Sequence, residues 1–403
     1  MPVAHTRRVS RQGQLGEADM SKAVQARLEA PGPKRMLALD GGGVRGIITL
    51  AFLEHVERLL AKRSKNPEAF RLSDYFDLIG GTSVGSITAV LLAMGYKVSE
   101  VTEIFFDWIP EIFANPLMAV PGVLPRFDAR QLNNRIRSKL GDRPLETDDL
   151  KTGFAVMAKR VDTGSPWILT NNPKSAFWDD DGTTIGNRHY RLADLIRAST
   201  AAPYYFSPKS IEIHKNVDGV FVDGGVSPHN SPALQMLLLA QLKGYRFNWG
   251  LGEDKLLLIS VGTGTYRVRV PNSLLKRNVS ALHAIDALQG VIADSQNLNL
   301  TLLQMLSKPR RRWTINLEID DQRDDPMLRV GGVDHPLLSF TRYDVKLEKD
   351  WLRKKLNRNF SDRRLNQVRD FMDPTDLRTN YNLGHQAADY QVTPDDFPGA
   401  FDI

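Results

Sequence analysis

Tyr75-Phe76-Asp77-Leu78-Ile79-Gly80-Gly81-Thr82-Ser83-Val84-Gly85 runs from an apolar, strand-like stretch into a serine flanked by glycines. Ile87 to Met94 continues it as an apolar, helix-like run. Gly-x-Ser-x-Gly between a strand and a helix is a nucleophile elbow. The turn is so sharp that only glycines fit beside Ser83. It lifts the hydroxyl clear of the backbone and sets it at a helix N-terminus, whose free N–H groups face developing negative charge. The flanks give the pentapeptide its weight; without them it is a glycine-rich turn that merely packs tightly.

Upstream, Lys34 to Leu39 reads as a buried strand, Asp40 to Gly46 as a glycine-rich turn, and Ile47 to Leu60 as a helix with Phe52, Val56, Leu59 and Leu60 on one face. Gly95 stops the elbow helix, and Ser99 is placed to cap the next one, which runs through Trp108. Phe154 to Arg160 and Trp167 to Thr170 read as strands, and Leu192 to Ala198 as a helix. Phe221-Val222 enters a third turn, Asp223-Gly224-Gly225; Ala233 to Leu242 is helical, and Leu256 to Val261 is an apolar strand. Strands alternating with helices predict an α/β fold of three layers, a mostly parallel central sheet with helices on both faces. In such a sheet the turns gather at the carboxyl ends of the strands, so three glycine-bearing turns far apart in sequence meet in space.

Acyl transfer needs a nucleophile, a proton acceptor and donors for the oxyanion. Ser83 supplies the first. The amides of Gly41, Gly42, Gly43, Val44 and Arg45 supply donors that approach a substrate oxygen closely. Gly46, Gly81, Gly85, Gly224 and Gly225 complete the three turns. Gly41 to Gly46 also spells the dinucleotide fingerprint, but Lys62 to Glu68 is polar and strand-poor where a second strand ending in an acid is required. Histidine is the default base, and the order serine, acid, histidine favours His229, His283, His335 or His385. None sits at a clear strand end followed by a loop; Asp223 does. Partial burial raises a carboxylate's pKa, and a direct hydrogen bond to the serine removes the need for a relay. The bland reading of Asp223 is a turn-forming aspartate at a tight bend.

The 403 residues are 42% hydrophobic and 25% charged, ordinary for a globular protein with a large core. With no cysteine there is no disulfide framework, thiolate zinc site or cysteine nucleophile. No metal and no cofactor are expected. A net charge of +6 suits an anionic surface but is mild, and no nucleic acid is expected as a partner. Arg310-Arg311-Arg312-Trp313 reads as a solvated strand edge, with a lipid-headgroup or nucleotide-phosphate contact as the sharper alternative. No apolar stretch approaches bilayer-spanning length, and Met1 to Ala30 lacks the apolar core of a secretory signal. The expectation is a cytoplasmic protein with peripheral membrane contact.

At this point the residues resemble a family. Asp-Gly-Gly-Gly-Val-Arg-Gly at Asp40 to Gly46, Gly-Thr-Ser-Val-Gly at Gly81 to Gly85 and Asp-Gly-Gly at Asp223 to Gly225 look like the patatin-like phospholipases of bacterial type. Ala198 to Phe206, Asn230 with Pro232, and Val261 to Gly264 match further blocks, so the resemblance covers Lys34 to Thr265 in order and spacing. It implies a Ser-Asp dyad that hydrolyses fatty acyl esters of membrane phospholipids. Ser83 would be the nucleophile, Asp223 the base, and Gly42 and Gly43 with their neighbours the oxyanion hole, with Arg45 at the family's basic position. Two other readings stand beside it: a general carboxylesterase or serine peptidase, and a non-catalytic lipid- or nucleotide-binding protein on the same scaffold.

The domain reading is 1–33 as a flexible or helical extension, 34–320 as the catalytic domain and 321–403 as a helical, regulatory extension. Basic and aromatic residues in the last part permit a small-molecule or nucleotide activator. His283 to Leu306 reads as a long helix, Trp313 to Ile319 as a late strand, Val345 to Leu356 as a charged amphipathic helix, and the Pro- and Asp-rich tail after Asp373 as loosely ordered. Ile112 to Phe127, apolar but broken by Pro116, Pro121 and Pro125, reads either as a lipid-contacting lid or as a buried irregular connection.

Overall fold

Leu37 and Leu39 pack on one face of a sheet and Met36 and Ala38 on the other, and all four are fully buried. A strand with no solvent side belongs in a parallel sheet covered on both faces. The computed structural model describes residues 14–114, 125–267, 280–310 and 335–403, and among these it shows that architecture.

Helix α1 (Gln14–Glu29) precedes β1 (Lys34–Leu39) and α2 (Gly46–Ala61); a helical turn α3 (Leu72–Tyr75) leads into β2 (Leu78–Thr82) and α4 (Val84–Ala93). Then come α5 (Val98–Ile112), α6 (Ala129–Leu140), β3 (Gly153–Arg160), β4 (Pro166–Thr170) and α7 (Leu192–Ser199). The hairpin β5 (Lys209–His214) and β6 (Val217–Asp223) follows, then α8 (Ala233–Gln241), β7 (Leu256–Val261) and α9 (Ser280–Leu306). The chain closes with β8 (Ser307–Pro309), β9 (Leu338–Tyr343), α10 (Lys349–Leu356), α11 (Asp362–Arg369) and α12 (Leu377–Gln391).

The strand order is β5-β6-β3-β2-β1-β7-β9-β8, with β4 also paired to β3. From β3 to β8 along this order every pairing is parallel; β4, β5 and β6 add antiparallel partners at one end. One face is covered by α2, α4, α5, α6, α7 and α12, the other by α1, α8 and α9. The expected three-layer α/β class is the observed one. β1 at the centre and its neighbour β2 send their carboxyl ends into the two glycine turns.

Four differences have physical causes. The elbow strand begins at Leu78 rather than Tyr75, because Asp74 accepts the Arg71 N–H and closes a helical turn first. Ser99 lies inside α5; Glu100 reaches back to the Lys97 N–H and caps it instead. The stretch read as a helical extension also holds β9, which pairs in parallel with β7 within the main sheet. Its tail is ordered: α12 packs along α2, with Leu383, Ala387 and Ala388 buried. The Trp313 to Ile319 strand and most of the proposed lid lie outside the described residues. Among the described residues no helix is long and apolar enough to cross a membrane.

Candidate active site

Ser83 terminates β2 with φ 54° and ψ −128°, a conformation that L-residues rarely adopt. Two features hold it there. The Ser83 N–H donates to Ser199 Oγ at 2.9 Å, and Ser199 in turn donates to the Met157 carbonyl on β3. Gly85 lies so close to β1 that a side chain would run into the Leu39 carbonyl. The elbow is thus pressed against the end of the neighbouring strand, and no larger residue fits.

Asp223 ends β6, anchored by its N–H to the Ala201 carbonyl. Ser83 Oγ donates to Asp223 Oδ2 at 2.6 Å, while Asp223 Oδ1 accepts the Gly225 N–H at 2.7 Å. Only 4% of Asp223 is exposed. That burial pushes its carboxyl up to about 6, against the Ser83 and Gly225 hydrogen bonds and the Arg197 charge, which favour the ionised form. Arg197 on α7 is itself buried, which draws its guanidinium down to about 10; it donates to the Ser207 carbonyl and lies over the Phe206 ring. Sequence reasoning missed Arg197 and Ser199. Their position in α7, one turn before the Ala201-Ala202-Pro203 bend that anchors Asp223, was the available signal.

The first glycine turn is tied down on several sides. Gly41 N–H donates to the Asn230 carbonyl, Val44 N–H to the Phe371 carbonyl at 2.8 Å, and Arg45 N–H to the Gly42 carbonyl. Thr263 Oγ1 donates to the Gly41 carbonyl. Of the five amides expected to face an oxyanion, three are therefore engaged inside the protein. Those of Gly42 and Gly43 meet no acceptor among the described residues. Gly43 sits at φ 56°, and a side chain there would strike the Phe371 carbonyl oxygen. The turn borders the elbow: a Cβ on Gly41 would lie 3.2 Å from that of Ser83.

A cavity of about 560 Å³ opens over these groups. Ser83, Asp223 and the glycine turn form one wall; Ile87, Phe105, Trp108, Ile109, Ile112 and Leu132 form an apolar one. No histidine lines it among the described residues. His229 is held by its backbone, its carbonyl accepting from Thr82 Oγ1 and its N–H donating to Ser227 Oγ, and His385 pairs with Glu54 on α2. Of the lid candidates within the described residues, Phe127 is buried, and Phe113 packs edge-on against it at 5.0 Å. Arg310 donates to Ser339 Oγ on β9; the rest of its basic cluster lies outside the described residues.

Residues 37–237 match the model of a family described as patatin-like phospholipase. The cGAMP-activated phospholipase of Escherichia coli (strain TW11681) is 30% identical over 249 residues, covering 60% of this chain and 65% of that protein. Patatin group J-1 of Solanum tuberosum is 29% identical over 246 residues, covering 57% of this chain and 60% of its own. Human GIVD cytosolic phospholipase A2 aligns with a TM-score of 0.43 at 13% identity, covering 94% of this chain and 62% of that one. The matched part spans less than two thirds of the length of these relatives.

Proposed function

The chain belongs to the patatin-like phospholipase family, and we propose that it is a lipid acyl hydrolase of phospholipase A type working through a Ser-Asp dyad. The observation that carries this reading is the 2.6 Å hydrogen bond from Ser83 Oγ to a buried Asp223, set in the wall of an apolar cavity.

Asp223 is ionised at neutral pH, yet its raised pKa makes it a better base than a solvated carboxylate. It takes the Ser83 proton as the hydroxyl attacks the acyl ester. The Gly42 and Gly43 amides receive the oxyanion; a single donor of this kind is worth about 2.7–4 kcal/mol in the transition state. The proton passes from Asp223 to the departing lysophospholipid or alcohol. Water then attacks the acyl-serine, with Asp223 again as base. Phe105, Trp108 and Ile109 offer the acyl chain an apolar bed, which favours a lipid over a peptide.

Membrane phospholipid is the proposed substrate, reached by transient contact with the bilayer surface. A small-molecule or nucleotide activator is a second proposal, supported by the name of the E. coli relative, and a titration of activity with cGAMP tests it.

Lipid profiling after incubation with mixed phospholipid vesicles, wild type against Ser83→Ala, tests the hydrolase reading. Lysophospholipid and free fatty acid should appear with the wild type alone, and a fluorophosphonate should label it at Ser83. Release of lipid products by both proteins would remove the serine from the reaction. A wild type that neither labels nor hydrolyses, with or without the titrated nucleotide, would leave a binding protein.

A further inference from the structure

The matched family region ends at residue 237, yet the first glycine turn is completed from beyond it. Arg369 to Met372, the turn after α11, runs across the outer side of that turn. The Phe371 carbonyl accepts the Val44 N–H at 2.8 Å, and the Arg369 carbonyl accepts from Arg45 Nη1 at 3.3 Å. Phe371 and Met372 also line the cavity, and the Phe371 ring stands edge-on to Tyr205 at 5.3 Å.

Resting on the proposed acyl-transfer reading, we propose that Phe371 is a positioning residue: its carbonyl fixes the direction in which the Gly42 and Gly43 amides point. The chain leaves those two donors little freedom. Gly41 is held on one side by the Asn230 carbonyl and Val44 on the other by Phe371, so the intervening peptides are strung between two fixed points. A loop with two consecutive glycines has the greatest backbone entropy of any dipeptide, so both anchors are needed to aim it. Oxyanion donors act only when preorganised, and small misplacements are expensive in rate. The first anchor lies within the matched region; the second comes from the C-terminal part of the chain.

The strap is itself held by a side chain that touches neither the cavity nor the glycine turn. Asp370 is exposed, and its Oδ1 accepts the Met372 N–H at 2.9 Å, closing a tight turn around Phe371. Loosening that turn should release the Phe371 carbonyl without disturbing the core. Asp370→Ala removes the acceptor; Asp370→Asn keeps it.

The experiment measures kcat and KM on a short, soluble p-nitrophenyl ester for the full-length protein, alongside the rate of fluorophosphonate labelling at Ser83. Asp370→Ala should lower kcat and the labelling rate about tenfold with KM within about twofold, while Asp370→Asn stays within about twofold of wild type. A second variant replaces Val44 by its α-hydroxy acid, which turns the N–H into an ester oxygen and leaves every side chain in place; it should lose at least tenfold in kcat. Asp370→Ala matching wild type, or both Asp370 variants falling alike with KM rising, overturns the inference. A wild type that never labels at Ser83 fails at the earlier step, the hydrolase reading itself.

Discussion

Arg342 Nη2 lies 2.6 Å from Asp40 Oδ2, and neither side chain is reached by solvent. The same guanidinium nitrogen is 2.6 Å from Asp344 Oδ2, and Nη1 donates to Ser260 Oγ. Asp40 immediately precedes the first glycine turn, and Asp344 Oδ1 accepts the Gly264 N–H of another. The triad therefore ties β1, β7 and β9 together beneath the site. Burial alone pushes the Asp40 carboxyl up and would draw Arg342 down, but the two carboxylates outweigh that burial and hold the arginine above its ordinary value. A buried ion pair adds little net stability, but removing one partner strands the other charge, at about 3–5 kcal/mol.

Arg342→Met should lower the unfolding free energy by about 3–5 kcal/mol in urea, and adding Asp40→Asn should restore part of it. A loss below about 1 kcal/mol for the single variant would show that the carboxylates are solvated or protonated without the arginine.

The acid limb of the pH–rate profile should report Asp223. The base must be ionised, so kcat/KM on a soluble ester should fall tenfold per unit below an apparent pKa of about 6. The Arg197 charge favours the ionised form. Arg197→Met should therefore move the limb to higher pH, and Arg197→Lys should move it less. An unmoved limb in Arg197→Met would deny the arginine any electrostatic role.

The same carboxyl should weaken the fold at neutral pH. Its folded pKa is raised from 3.8 to about 6, so the native state holds the proton more tightly than the unfolded chain does. Its contribution is fully present below about 3.8 and is lost as pH rises through about 6. Two units correspond to roughly 3 kcal/mol. Asp223→Asn should be more stable than wild type at pH 8, by about 2–3 kcal/mol more than at pH 4. Equal differences at the two pH values, by chemical denaturation, would contradict the buried-carboxylate account.

Much of this was readable from residue pattern alone. Lys34–Leu39 and Leu256–Val261 were bounded to the residue, because each carries four consecutive apolar residues (Met36 to Leu39 and Leu256 to Ile259), as a strand buried on both faces requires, and each is closed by a glycine turn. Ser83, Asp223 and the first glycine turn followed from strand-turn-helix context. β9 was not found, because Ser339, Thr341 and Arg342 interrupt the apolar run that marks a strand buried on both faces. Ser339, Thr341 and Arg342 are nonetheless buried, with the partners of Ser339 and Arg342 coming from Glu253, Ser260 and Asp40, far away in sequence. The tail after Asp373 was misread for a related reason. Its prolines and aspartates suggested disorder, but Asp373 caps one short turn, and Thr393 with Asp396 forms a capping box at another. Composition counts such residues; only position tells a cap from a loose chain.

Docking of that tail gives a prediction in which two rules disagree in sign. Gly384 sits within α12, where helix propensity favours Gly384→Ala by about 1 kcal/mol. The site has no room for it. A Cβ there would lie 2.7 Å from the Ala51 Cβ and 2.9 Å from the Ile48 carbonyl oxygen on α2. Overpacking a close helix contact costs about 1–3 kcal/mol, and neither neighbour can swing aside, since one is backbone and the other a methyl fixed to it. Packing should therefore win, and Gly384→Ala should be destabilised by up to about 2 kcal/mol. Because α2 begins where the first glycine turn ends, pushing α12 outward should also reduce kcat on a soluble ester. A thermal melt showing Gly384→Ala at or above the wild-type midpoint would mean that α12 does not rest on α2 as closely as these distances require.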